Sequence, residues 1–480
     1  MPVSEDGSRA GPVLPTGTAD RTTLGGSVPA GNVPRHRGLV LAAASLGFAV
    51  IQLDVSVVNV AFKVIGAELG GGVAGLQWVV DAYTVAFAAL ILTAGALGDR
   101  LGAKRIFLVS SVLFTVASAA CGLAPNLGLL IAARAVQGTG AAGLGACSLV
   151  LLNHAYPQPA ERARAVGIWA AGASAALAAG PLAGGLLIAT LGWRWIFFIN
   201  LPLGATGIWL TIRFATETPR ARDRGLDLRG QLAAVLTLGA FAAAIIEAGS
   251  LGLTDPVVLA GLAVAALAGT GFVLTEARRT RPMLPLALFR SRAFSGAVAT
   301  GLLINIAFYG LIFVFSLFFQ RRLGLSPLGT GLAFVPVMAA IMAANILARR
   351  VTAMLGTRMV IALGAAFMAA ACLGMLGFTS ARPSQPLAAG LLIALLSAAG
   401  LGVGLIVPAM TSTLLGSVDR SWSGIASGTL TALRQTGSVL GVALFGSLLA
   451  SLGLIAGLRI ALAVSAALAL AVAALSTLAG

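Results

Sequence analysis

Three ionisable side chains sit in the middle of otherwise oily stretches. Asp54 lies in Gln52-Leu53-Asp54-Val55-Ser56-Val57-Val58-Asn59-Val60, Asp81 in Gln77-Trp78-Val79-Val80-Asp81-Ala82-Tyr83, and Arg134 in a third apolar run. A charge held at mid-membrane costs about 2.5–3.5 kcal/mol on insertion scales, so each of the three needs a reason. At about 1.5 Å per residue, all three fall about 9–12 Å from the same ends of their helices. Two acids and one cation therefore share a depth. One reading is a structural ion pair that locks helices together. The favoured reading is a protonatable cluster holding one acid more than its cation can neutralise. The spare carboxylate would carry a proton, a cationic compound, or each in turn. Asp54 leads as that group, with Asp81 placed nearer the entrance.

Other polar residues in apolar runs are candidates for lining a cavity: Asn59, Gln137, Asn305, Tyr309 and Arg434. Arg434 lies about 18 Å into its helix and needs a partner, water or an anionic group; a polar network or gate ranks ahead of substrate contact. Arg459, near a helix end, is expected to snorkel to water. His36 and His154 fall outside the apolar runs, which leaves any proton carrying to carboxylates. Cys121, Cys147 and Cys372 are far apart within apolar runs, so neither a disulfide framework nor a Cys/His metal site is expected. No G-x-x-x-x-G-K-[ST] loop is present, which argues against an ATP-driven motor, and no nucleophile–base pair points to an enzyme.

The elements that position these groups follow from composition. Of 480 residues, 58% are hydrophobic, 61 are Gly and only 10% are charged, too few charges to cover a water-facing surface of this size. A soluble enzyme and a disordered chain are both excluded. Residues 1–37 read as a disordered cytoplasmic tail. Beyond them, apolar runs recur at 38–62, 75–97, 106–124, 127–152, 165–190, 194–214, 230–248, 256–276, 294–319, 328–348, 358–379, 387–412, 422–450 and 454–479. Each is about long enough to span a bilayer, giving an all-α polytopic membrane protein of fourteen transmembrane helices. The basic residues set the orientation. With the amino terminus inside, only Lys63, Arg194, Arg321, Arg322 and Arg382 fall in outer segments, and Arg134, Arg434 and Arg459 lie within spans. The rest of the 31 Lys and Arg are cytoplasmic. This accounts for the +16 net charge without a nucleic acid partner.

The loop after the second helix, Gly98 to Arg105, has a weaker echo at Arg349 to Arg358, after the tenth. That spacing suits a 38–214 bundle, a 215–293 linker with two extra helices, and a 294–480 bundle. Two such halves rocking about a central site are a usual build of secondary transporters.

Taken together, the motifs resemble the major facilitator superfamily, in its fourteen-helix drug:proton antiporter group. Gly95-Ala-Leu-Gly-Asp99-Arg100-Leu-Gly102-Ala103-Lys104 is similar to the family's cytoplasmic gate motif, with Ala103 where Arg is common. Arg134 to Gly140 resembles the fourth-helix motif whose Arg is linked to proton transfer. Gly180-Pro181-Leu-Ala-Gly184-Gly185 resembles the antiporter motif of the fifth helix, with Ala176 in place of a Gly. Leu53 to Val60 and Trp193 to Pro202 are similar to further signatures of this group. The resemblance implies a monomer in the bacterial inner membrane, both termini cytoplasmic, needing no cofactor beyond the proton motive force. It would exchange protons for amphipathic, cationic small molecules. Export of a physiological metabolite or lipid is the alternative, and a non-transporting sensor ranks below it.

Overall fold

A lipid interior offers no partner for backbone N–H and C=O groups, so each apolar run must satisfy its own by coiling into a helix. The computed structural model describes residues 36–220, 228–278, 286–380, 385–418 and 423–478, and among these no strand occurs. The expected tail falls almost wholly outside the described residues.

Thirteen described helices are long and apolar enough to cross a membrane. We label them α1 (Arg37–Leu69), α2 (Gly72–Leu101), α3 (Ala103–Gly122), α4 (Leu127–Ala155), α5 (Pro159–Thr190), α6 (Trp195–Phe214), α7 (Leu228–Leu251), α8 (Pro256–Arg278) and α9 (Arg292–Arg322). The next, Pro327–Phe378, would be about 78 Å long, against a bilayer core of about 30 Å. Gly356 breaks it with φ 79° and ψ 158°, a backbone conformation that glycine adopts without a Cβ penalty. It is therefore two spans, α10 (327–355) and α11 (357–378). Then come α12 (Pro386–Gly416), α13 (Ser423–Leu452) and α14 (Leu454–Leu478). The expected fourteen crossings are present, but the basic loop expected between the tenth and eleventh is helical up to Gly356.

Helices α1 to α6 pack as one bundle, α1 lying on α5, α4 and α6, and α4 on α2 and α3. Helices α9 to α14 pack as a second, α12 lying along the α10–α11 pair and α9 on α13 and α14. The bundles meet through α2 against α13 and α5 against α10. Helices α7 and α8 pair with each other, and α7 lies over the α2–α13 seam. There Gln231 Nε2 donates to the Ala89 carbonyl at 2.8 Å, and Ala242 packs with Val85 and Val439.

The bundles are not joined evenly. We call the end where α1 begins and α14 finishes the terminal end, and its opposite the far end. Val57 to Ile65, Leu76, Cys121 and Trp193 to Phe197, all toward the far end of the first bundle, share one continuous core with the second bundle. The rest of the first bundle, from Val50 and Phe87 to Leu151, forms a separate core. Apolar packing therefore closes the far end.

Two irregular helical segments meet in that closure. Helix α1 tightens to a 3₁₀ turn at Val58–Ala61, and α9 widens to a π turn at Phe318–Arg322. Such turns release backbone groups from the i→i−4 ladder. Side chains of the opposite bundle take them up: Ser316 Oγ donates to the Asn59 carbonyl, and Lys63 N–H donates to Gln320 Oε1 at 3.1 Å. Phe62 and Phe313 pack beside them with ring centroids 5.1 Å apart.

Candidate functional site

The first bundle holds its ion pair at the junction of α1, α4 and α6. Asp54 is fully buried and both its oxygens are occupied. Oδ2 accepts from Arg134 Nη1 at 2.5 Å; Oδ1 accepts from Gln137 Nε2 at 2.8 Å and from Asn200 Nδ2 at 2.9 Å. Gln137 sits one turn beyond Arg134 on α4, and its Oε1 accepts from Arg134 Nη1 at 2.6 Å. Ser118 of α3 accepts from Gln137 Nε2 at 2.8 Å. Arg134 Nε donates to the Val79 carbonyl on α2 at 3.0 Å, and its guanidinium lies 4.3 Å from the Tyr83 ring centroid. One carboxylate and one guanidinium thus tie together all the helices of this corner.

Asp81 does not join them, which corrects the expectation of one three-charge cluster. The reason is helical phase. Val79 and Tyr83 face α4, whereas Asp81 shares its face with Gln77 and Val85 and so points along the α2–α13 seam. On that face Gln77 Nε2 donates to the Val442 and Ala443 carbonyls of α13 at 3.1 and 2.8 Å. Asp81 is fully buried, Thr84 Oγ1 lies 3.5 Å from its Oδ1, and its Oδ2 has no hydrogen-bond partner among the described residues. The spare carboxylate is therefore Asp81, at the contact between bundles, and Asp54 is the paired one.

The helix α5 motif also lies between the bundles. A Cβ added at Gly180 would sit 1.8 Å from Ser56 Oγ, and one at Gly184 would sit 3.0 Å from the Val57 carbonyl, both on α1. One at Gly185 would sit 2.7 Å from the Leu328 Cα on α10, and α10 answers with Gly331, whose Cβ would sit 2.2 Å from the Pro181 carbonyl. Pro181 lacks the N–H that would hold the ladder at this point. These small residues let α5 touch both bundles at backbone distance.

The gate motif lies against the end of α6 and the residues that follow it. Asp99 and Arg100 belong to the last turn of α2, half-buried and exposed respectively, and Gly102 makes the turn into α3 with φ 103°. Lys104 Nζ donates to the Ala215 carbonyl at 2.7 Å and the Ile212 carbonyl at 3.2 Å, capping the end of α6. Glu217 Oε1 accepts from Lys104 N–H at 3.0 Å, and Thr218 Oγ1 accepts from Ala103 N–H at 2.8 Å. Gly95 faces Ala146 at an ordinary 3.9 Å, so the close approach belongs to Gly98, where a Cβ would meet Cys147 Sγ at 2.8 Å.

In the second bundle, Gly301, Asn305 and Tyr309 follow one another on one face of α9. Arg434 of α13 lies against that face, its Cγ 3.1 Å from where a Gly301 Cβ would be. Tyr309 is within electrostatic reach of Arg434 and of Tyr83 in the first bundle. Asn305 is buried and donates to the Gly301 carbonyl at 2.7 Å. Asn59 is held at the far-end contact, its amide donating to the Val55 carbonyl at 3.1 Å. Arg459 is exposed, and its guanidinium reaches the far end of α11, where Nε donates to Thr379 Oγ1 at 2.9 Å.

Sequence reasoning passed over Asn200, Ser118, Gln320 and Glu217 as site residues. Asn200 stood inside the Trp193 to Pro202 signature, so its motif was visible without its role. Ser118 is one serine among several in α3, with no signal to single it out. The chain buries no cluster of His, Cys, Asp or Glu that could hold a metal among the described residues.

Comparison with known proteins follows the same lines. The chain is 38% identical to the multidrug resistance protein Stp of Mycobacterium tuberculosis, over 87% of this chain and 76% of that one. It is 37% identical to the methylenomycin A resistance protein of Streptomyces coelicolor, over 88% of each. Its fold superposes with a TM-score of 0.70 on a POT family transporter solved with 5-aminolevulinic acid, at 13% identity over 93% of this chain and 97% of that one. The Major Facilitator Superfamily sequence pattern matches residues 44–442. Fourteen crossings in two bundles, small-residue contacts between them and buried charges at their junction are thus those of a multi-pass membrane protein that belongs to the major facilitator superfamily.

Proposed function

We propose that the protein exports amphipathic drugs or antibiotics across a bacterial cell membrane in exchange for protons, and that Asp81 carries the exchanged proton. The relatives named for drug and antibiotic resistance support the cargo class. The observation that carries the exchange is the unpartnered Oδ2 of Asp81 at the seam between bundles. An ionised carboxylate there leaves a charge unpaired in a place without water, whereas the neutral acid leaves only a weak hydrogen-bonding group. Any opening of the seam changes that balance, which couples the proton to the conformation.

Both termini are cytoplasmic in this reading, because the terminal end carries most of the basic residues. The far end is then the outer face, closed here by apolar packing, and cargo access is assigned to the cytoplasmic side. Cargo enters from the cytoplasm or inner leaflet and its cationic group displaces the proton of Asp81. The bundles then rock, the far end parts, cargo leaves, and a proton from outside returns to Asp81. Proton and cargo shift the equilibrium because each binds the two states differently. The Asp54–Arg134 network keeps α1, α2, α4 and α6 moving as one body. The protein works as a monomer, and the proton motive force drives the cycle without a cofactor.

The test is a growth-inhibition panel in a pump-deleted host. The wild-type chain should protect against cationic amphipathic compounds, and Asp81→Asn, present in the membrane at the same level, should not. Equal protection by both would remove the role given to Asp81.

A further inference from the structure

The second bundle carries a charge problem of its own. From residue 292 to the end of the chain the sequence holds one acid, Asp419, in the segment before α13 and outside the described residues. Helices α9 to α14 therefore contain no acid, yet α13 holds Arg434 in mid-span. Its Nε is buried without a hydrogen-bond partner, and among the described residues it forms no ion pair. Asp54 cannot serve, being already matched by Arg134. Asp81 lies toward the far end of α2, and no contact joins the two here.

A guanidinium held this way is costly unless something compensates it. The local packing shows that the position is built, not accidental. The absence of a side chain at Gly301 makes a notch on α9 in which the Arg434 stem lies, with Leu430 and Met410 Sδ beside it. The residue as a whole remains half-buried. Tyr309, two turns along the same face of α9, lies within electrostatic reach of Arg434 and of Tyr83 of the first bundle.

We propose that Arg434 is an anion subsite of the cargo cavity, which docks a carboxylate or an acidic phenol or enol carried by the exported compound. This deepens the export reading and rests on it. The planar guanidinium fork matches a carboxylate with two parallel hydrogen bonds, which a lysine cannot reproduce. The cavity then presents an acid on one bundle, Asp81, and a cation on the other, Arg434. Zwitterionic cargo bridges them and so touches both moving parts.

The experiment measures binding, not transport. Full-length protein is purified into phosphatidylcholine nanodiscs, which supply no anionic headgroup. Fluorescence polarisation then gives the Kd of rhodamine 110, which bears a free carboxyl group, and of rhodamine 123, its methyl ester. Wild-type protein should bind the acid about tenfold more tightly than the ester, as expected for a charge-assisted pair away from water. Arg434→Gln should abolish that preference while shifting the ester by no more than about twofold. Arg434→Lys should retain part of it. No preference in the wild type, or equal losses for acid and ester in either variant, would overturn the proposal. Loss of the preference in Asp81→Asn would also overturn it, by assigning Arg434 to a pair with Asp81. Acid-selective binding by a protein that protects no host would count against export alone and leave the subsite standing.

Discussion

Arg134 Nη1 lies 2.5 Å from Asp54 Oδ2, and the other Asp54 oxygen is taken by the amides of Gln137 and Asn200. A buried carboxylate that accepts three hydrogen bonds, one from a guanidinium, is a structural anchor. The neighbouring acid, Asp81, has an oxygen with no partner. The two acids therefore differ in role, and substitution should separate them.

Asp54→Asn should leave the Arg134 charge buried without its counter-ion and destabilise the protein by about 3–5 kcal/mol. Thermal unfolding in detergent would read this as a lowered Tm, accompanied by loss of efflux. The double variant Asp54→Asn/Arg134→Gln removes both charges and should recover much of the Tm while efflux stays lost. A double variant no more stable than the single one would show that the pair is not the anchor.

Asp81→Asn removes a carboxyl group that has no ionic partner, so the Tm should stay within a few degrees of wild type. Because Asp81 carries the exchanged proton, efflux of cationic and of neutral compounds should both fall. Undiminished efflux of neutral compounds would argue against Asp81 as the proton carrier.

The division between the two acids marks what the sequence could and could not reveal. Depth along a helix follows from counting residues, and so the shared level of Asp54, Asp81 and Arg134 was legible. Which way each side chain turns was not, because Val79 and Tyr83 face α4 only once α2 has settled between α4 and α13. Apolar run length fixed the crossings, including both halves of Pro327–Phe378, although the helical character of the link before Gly356 was hidden by its two arginines. Gln320 gave no signal at all. Its role depends on a π turn in α9 meeting a 3₁₀ turn in α1, a long-range match that periodicity in one helix does not encode.

Gln320→Leu should leave the Lys63 N–H without its acceptor at a cost of about 1–3 kcal/mol, weakening closure of the far end. Hydrogen–deuterium exchange should show faster exchange in the segment around Lys63, with the α3–α4 segment unchanged. Unaltered exchange at Lys63 would mean that the contact does not hold the closure.

Gly331→Val should part α5 from α10, since even a Cβ there would sit 2.2 Å from the Pro181 carbonyl. Spin labels at the exposed Leu186 and Leu332 should report a longer distance in this variant than in wild type, and transport should slow. An unchanged distance would place the rocking contact elsewhere.

The most direct test of proton-for-cargo exchange at Asp81 is proton flux in vesicles. Purified protein is reconstituted with a pH-sensitive dye trapped inside, and ethidium is added outside with no imposed gradient. Wild-type protein should alkalinise the lumen as ethidium enters and protons leave, and Asp81→Asn should give no proton movement. Ethidium entry without any pH change in the wild type, or an undiminished pH change in Asp81→Asn, would contradict the account.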